Sequence, residues 1–317
     1  MKRSFAVFLT ALPLGAAGSA LRVFSLLREF DPETNAMAKN TPLYWALAAL
    51  CFACAVIMFL LLGRKKLPKS KAQRLPMVWL CVELPAVFLL LLVAVLDLLR
   101  FAGVGDHPER GSIPVLVFSL FTVLTAFCLL IVALRAVRGH VEPGYGIYLT
   151  APVFWAGFNL ILDFWGHAGN PILGSYVFNL MAYVFLTLML YGAAAAFYIR
   201  KSKRRSMFTA GMGMFFSMVA LLPPVITRFF GGGAELPRAA VLMTHDALMF
   251  IFIFLHGAAL LWAAEKNTFY GNYSKEKIDP APEGDPLAPE EIGVESALND
   301  EISELKEAGP PPPPKEL

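Results

Sequence analysis

His245 and Asp246 stand side by side in a run that is otherwise apolar over 239–263, and His256 follows His245 by eleven residues. Eleven residues make about three helical turns, so the two histidines share a helix face with Met249 and Phe252. Histidine exchanges its proton near neutral pH, and a face built this way can carry protons between two depths of a bilayer. Glu83 stands in another apolar run, two residues ahead of Pro85. Ionisable groups in hydrocarbon cost from about 2.5 kcal/mol upward, so they turn toward protein or water. The same holds for Arg22, Asp97, Asp163 and Arg228, and the amides of Asn159 and Asn179 are further polar groups in apolar runs.

Placed by depth, these groups form two sets. Arg22, Asn159, Asn179, His245 and Asp246 fall in an outer layer, with Asp97, Asp163 and Arg228 nearer the outer surface. Glu83 and His256 fall in the inner half. The outer layer fits an outward-facing vestibule or binding site. It also fits plain neutralisation, with Arg22 against Asp246 and Arg228 against Asp97 or Asp163, helped by polar groups that snorkel to the interface. Glu83 fits either an ion-handling role or hydration by a neighbour. The candidates for a substrate or ion pathway are therefore Arg22, Glu83, Asn159, Asp163, Asn179, His245, Asp246 and His256.

Other chemistries find little in the chain. There is no HExxH, GxSxG, phosphate-binding loop or dinucleotide glycine pattern, so no catalytic residue is assigned and an enzyme has no local support. Haem ligation would need two histidines at one depth; His167 and His245 come nearest, but His167 lies in a turn at the end of its span. No cofactor and no metal is expected. Cys51 and Cys54 form a CxxC inside an apolar run, where two small packing residues one turn apart are the better reading. Pro223 and Pro224 interrupt the backbone ladder of another run, as in the discontinuous helices of transporters or in an ordinary kink.

The elements that carry these residues follow from composition. Of 317 residues, 57% are hydrophobic and only 16% charged, where a soluble domain carries about 25% charged residues. Crossing about 30 Å of hydrocarbon takes roughly 20 apolar residues. Runs of that kind occur at about 5–27, 43–63, 77–99, 113–134, 146–166, 172–199, 207–229 and 239–263. They predict an all-α polytopic transmembrane helix bundle of eight spans over 1–270, because backbone in lipid must satisfy its own hydrogen bonds. Basic residues gather at the start (Lys2, Arg3), in loop 64–76, after the fourth span (Arg135, Arg138) and in loop 200–206. The positive-inside rule then puts both termini in the cytoplasm. The first span also has the three regions of a secretory signal peptide, whose removal would leave seven helices. Its apolar pattern continues through Leu27, long enough for an uncleaved span.

Basic loops follow the second and the sixth span, a layout open to a four-plus-four duplication, although no residue motif repeats. The polar turn Arg28-Glu29-Phe30-Asp31-Pro32-Glu33-Thr34-Asn35, together with the span pattern, resembles uncharacterised multi-pass bacterial membrane proteins. The resemblance implies a bacterial cell membrane and transfers no functional residue. From 271 the chain becomes an acidic, proline-rich cytoplasmic tail that is expected to be disordered. Within it, Val294, Leu298, Ile302 and Leu305 recur at helical spacing and mark 292–305 as a docking segment for a cytoplasmic protein. Apart from that protein, the bilayer itself is the partner, and no nucleic acid is expected. Two functions remain, a small-solute or ion permease and a non-catalytic scaffold or sensor acting through its tail. The permease is preferred, since a scaffold has no need of a deep carboxylate or two co-facial histidines.

Overall fold

The computed structural model describes residues 3–31, 36–37, 41–63, 75–104, 111–138, 143–167, 173–199, 203–229 and 240–266. Among them are eight α-helices: α1 (Arg3–Arg28), α2 (Pro42–Leu62), α3 (Leu80–Ala102), α4 (Ile113–Arg138), α5 (Gly146–His167), α6 (Leu173–Ile199), α7 (Lys203–Phe229) and α8 (Ala240–Glu265). All eight are long and apolar enough to cross a membrane, the mark of an integral membrane protein. Each coincides with one expected span. The ends differ where charge decides them. Arg135 and Arg138, expected in a loop, occupy the last turn of α4, where cations complement the partial negative charge of the helix end. Lys203, Arg204 and Arg205 belong to the first turn of α7 rather than to the loop before it, a placement that the helix dipole does not favour. Loop residues 64–74, the residues 200–202 and the tail, with its stretch 292–305, lie outside the described residues.

Part of the polar turn after α1 takes a form the residues did not announce. Phe30–Asp31 and Ala36–Met37 pair as two short antiparallel strands, β1 and β2. Elsewhere the boundaries follow local chemistry. Pro42 opens α2, where its missing N–H costs nothing. Gly103 closes α3 in the left-handed region at φ 77°, donating its N–H to the Arg100 carbonyl.

Helices α3 to α8 each pack against the next, and α8 returns to α3, closing a ring of six. Helix α1 lies outside the ring against α7, and α2 lies against α1. Burial follows this order. In the most apolar stretch of α7, 67% of residues are buried, against 22% in that of α2. Helix α2 turns a single stripe inward (Leu47, Cys54, Met58, Leu62) and leaves Phe52, Phe59 and Leu60 exposed. On a membrane protein such side chains meet lipid, and Trp45 and Trp165 near the ends of α2 and α5 suit an interfacial belt. All four cysteines are free.

Small residues let the inner helices approach closely. A Cβ placed on Gly257 of α8 would lie 2.8 Å from Met214 Cγ and 3.3 Å from the Ala210 carbonyl oxygen of α7. At the end of the bundle where α1 starts and α8 finishes, called here the terminal end, Ser4 donates to the Glu265 carboxylate, and Arg3 donates to the Leu62 carbonyl at 3.2 Å.

Candidate functional site

Along one face of α8 lie His245, Met249, Phe252 and His256, all buried. The chain has thus placed the two histidines on one side of the helix, facing its neighbours. They belong to different tiers of the bundle.

The tier nearer the terminal end holds Glu83 and His256, exposed by 2% and 3%. Nδ1 of His256 lies 2.8 Å from Oε1 of Glu83, a hydrogen bond between α8 and α3. Glu83 falls in the first turn of α3, where the helix N-terminus favours negative charge. Trp79, one turn before Glu83, is buried in the 3-10 turn Met77–Trp79 that leads into α3. Its indole N–H donates to the Ala259 carbonyl at 2.9 Å, fastening the start of α3 to α8. Oε2 of Glu83 and Nε2 of His256 are buried with no hydrogen-bond partner among the described residues. Both residues line a cavity of about 10 Å³, with Trp79 and apolar side chains from α4, α5, α6 and α8.

A tier of rings follows. Phe252 stacks on the His256 imidazole at 5.5 Å and meets Trp155 of α5 edge-on at 6.0 Å. Trp155 is fully buried and donates its N–H to the Thr122 hydroxyl of α4 at 2.8 Å. The Thr122 hydroxyl in turn donates a hydrogen bond to the Phe118 carbonyl, and the Phe118 ring stacks on Trp155 at 6.0 Å. Tyr183 of α6 stacks on Phe250 at 5.5 Å. These contacts fill the layer with apolar and internally satisfied groups.

Beyond the rings lies the second charged tier. Asp97 of α3 has no exposed surface, and its Oδ1 accepts from Nη1 of Arg100, one turn on, at 2.9 Å. Nε2 of His245 is 3.4 Å from the same oxygen, and Nδ1 is 3.5 Å from Oδ1 of Asp246. The imidazole therefore sits between two carboxylates, at distances long for hydrogen bonds but close for charges. Asn159 and Asn179 are buried on α5 and α6, one turn from Trp155 and Tyr183, and Asn159 Nδ2 and Asn179 Oδ1 lack a partner among the described residues. Asp163 is half-buried on α5. The side chains of Arg228 and His167 lie outside the described residues, and with them the expected Arg228 pairing and the haem geometry.

Arg22 also serves α7. Pro223 has no N–H to offer the carbonyl of Val219, four residues earlier in α7. Nη1 of Arg22 donates to that carbonyl at 2.8 Å, and the guanidinium lies 5.0 Å from the Phe178 ring centroid of α6. Ser19, one turn before, donates to Met218 O at 2.9 Å. With these partners α7 runs unbroken through Pro223 and Pro224, so the discontinuous-helix alternative does not hold.

Two of these pairs have a local spacing that the sequence carries. Trp79 and Glu83 stand four apart and Asp97 and Arg100 three apart, both spacings that bring side chains together on a helix. Trp155 and Thr122 lie on different helices, and no spacing could have joined them. Among the described residues no group of three or more His, Cys, Asp or Glu is arranged to hold a metal. Compared with protein-family models, curated proteins and solved structures, the chain has no match.

Proposed function

We propose that this protein is a small-solute or ion permease of the cell membrane, with Glu83 and His256 as the ion-handling pair in its cytoplasmic half. The observation that carries the reading is the 2.8 Å contact between these two side chains, buried in the ring with one polar atom each left unpartnered. A buried ionisable pair is costly to keep in a membrane helix bundle, and such groups characteristically mark ion and proton routes. The second charged tier, Asp97 with Arg100, His245 and Asp246, supports the same reading, since it gives the route a polar station in the other half of the bilayer. Trp155 and Phe252 separate the stations, as an alternating-access carrier requires of its closed layer. A cytoplasmic placement of the terminal end is supported by the positive-inside rule, with Arg3 at the start of α1, Arg135 and Arg138 at the end of α4 and Lys203, Arg204 and Arg205 at the start of α7.

The reading is tested by flux in proteoliposomes containing the purified protein. Glu83→Gln and Asp246→Asn each keep side-chain shape while removing a carboxylate. Loss of ion or solute flux in both, with normal insertion, is the expected result. Undiminished flux in both variants would remove the two tiers from the mechanism.

A further inference from the structure

His245 turns its two ring nitrogens toward carboxylates carried on two different helices. Nε2 is 3.4 Å from Oδ1 of Asp97 on α3, and Nδ1 is 3.5 Å from Oδ1 of Asp246 on α8. A neutral imidazole has one N–H and one bare nitrogen, so either tautomer sets a lone pair against a carboxylate oxygen. An imidazolium has an N–H on both sides, and its charge is attracted by both neighbours. Oδ1 of Asp97 also accepts from the Arg100 guanidinium at 2.9 Å, the short contact of an ionised pair.

We infer that His245 is a proton-binding site of the second charged tier, and that its bound proton latches α8 to α3 between Asp246 and Asp97. The inference deepens the permease reading by naming the proton as the ion of that tier, and it rests on that reading only for its transport meaning. Release is one step: a proton leaves Nε2, the ring becomes neutral, and Nδ1–H stays toward Asp246. The two carboxylates, the guanidinium and the imidazolium sum to zero charge before the step and to one negative charge after it. The bare Nε2 then faces Oδ1 of Asp97, and attraction across the contact of α3 with α8 becomes repulsion. At the terminal end the Trp79 N–H on the Ala259 carbonyl still ties the same two helices, since neither group titrates. Loss of the proton therefore loosens one end of the seam that closes the ring of six.

The neighbours leave the imidazole as the group that exchanges. In this half of the bundle, among the described side chains, α3 brings Asp97 with Arg100, and α1 brings Arg22, which donates to the Val219 carbonyl. Helix α6 brings Asn179 and Tyr183, α7 brings Thr227, and α5 brings Asn159 and the half-buried Asp163. No group of three His, Cys, Asp or Glu among the described residues is arranged to hold a metal, and a guanidinium already sits on Oδ1 of Asp97. The cation this site suits is the proton.

The test is solid-state NMR of the full-length protein in lipid bilayers, with nitrogen-15 in the histidine rings. His245 is assigned by the signals missing from His245→Gln. At neutral pH both its nitrogens are expected to carry hydrogen, and alkaline titration is expected to remove the Nε2–H signal while the fold stays intact. Asp97→Asn keeps the side-chain shape without the charge and is expected to lose that signal already at neutral pH. A bare nitrogen on His245 of the wild type at neutral pH overturns the inference. So does a ring that keeps both hydrogens until the protein unfolds, which marks a fixed structural cation. Should Asp97→Asn fail to insert, the wild-type titration decides alone. An exchangeable proton on His245 in a protein that moves no ion or solute leaves the site standing and defeats the permease reading. Flux with a neutral His245 does the reverse.

Discussion

At the scale of single residues, a carboxylate inside a membrane helix needs offsets for its lost hydration, and Glu83 has two that are visible. It sits in the first turn of α3, facing the positive end of the helix dipole, and it accepts from His256. Substitution separates these contributions. Glu83→Leu removes the acceptor and leaves the imidazole buried without it, which should cost about 1–3 kcal/mol. Glu83→Gln still accepts from Nδ1–H through its amide oxygen and should cost less. Thermal unfolding in detergent measures both, and equal midpoints for the two variants would show that the bond to His256 contributes nothing. The candidate residues themselves were legible because an ionisable group stands out in an apolar run. Their partners were less so. The sequence places Glu83 and His256 in the same half of the bilayer but on helices far apart in the chain, and only the packing of α3 against α8 brings them to 2.8 Å.

At the scale of elements, the interest lies in α7 and the way α1 repairs it. Pro223 withdraws a hydrogen-bond donor from the last third of α7, and Arg22 supplies another from outside the ring. A charged donor to a buried carbonyl is worth about 1.5–3 kcal/mol. Arg22→Leu should therefore destabilise the protein by an amount in that range. In a Pro223→Ala background the helix N–H returns and the same substitution should cost much less, a coupling that a double-mutant cycle reads directly. Additive effects would mean that the proline and the arginine are not partners. Residue types alone could mark Pro223 as a break and Arg22 as a buried charge. That the one answers the other depends on the register of α1 against α7, which small residues such as Gly15 and Gly18 set by close approach.

At the scale of the whole molecule, the eight helices were legible to within a few residues because hydropathy over roughly 20 residues is a strong signal. Their arrangement was not, since apolar stretches say little about which neighbours they meet. The ring of α3 to α8, with α1 and α2 set outside it, emerges only from packing. Within that ring the two charged tiers and the rings between them form a continuous buried column, and the permease reading assigns transport to this column alone. Removing residues 271–317 should then leave flux per inserted protein unchanged, as measured in proteoliposomes. Loss of function on truncation, with insertion intact, would favour a scaffold or sensor acting through the tail. The most direct test of the central claim follows internal pH with a trapped dye in proteoliposomes under an imposed proton gradient, comparing the wild type with Glu83→Gln at equal reconstitution. The account predicts proton entry, alone or coupled to a solute, that falls to the protein-free rate in Glu83→Gln. Equal rates in the wild type and the variant would contradict it.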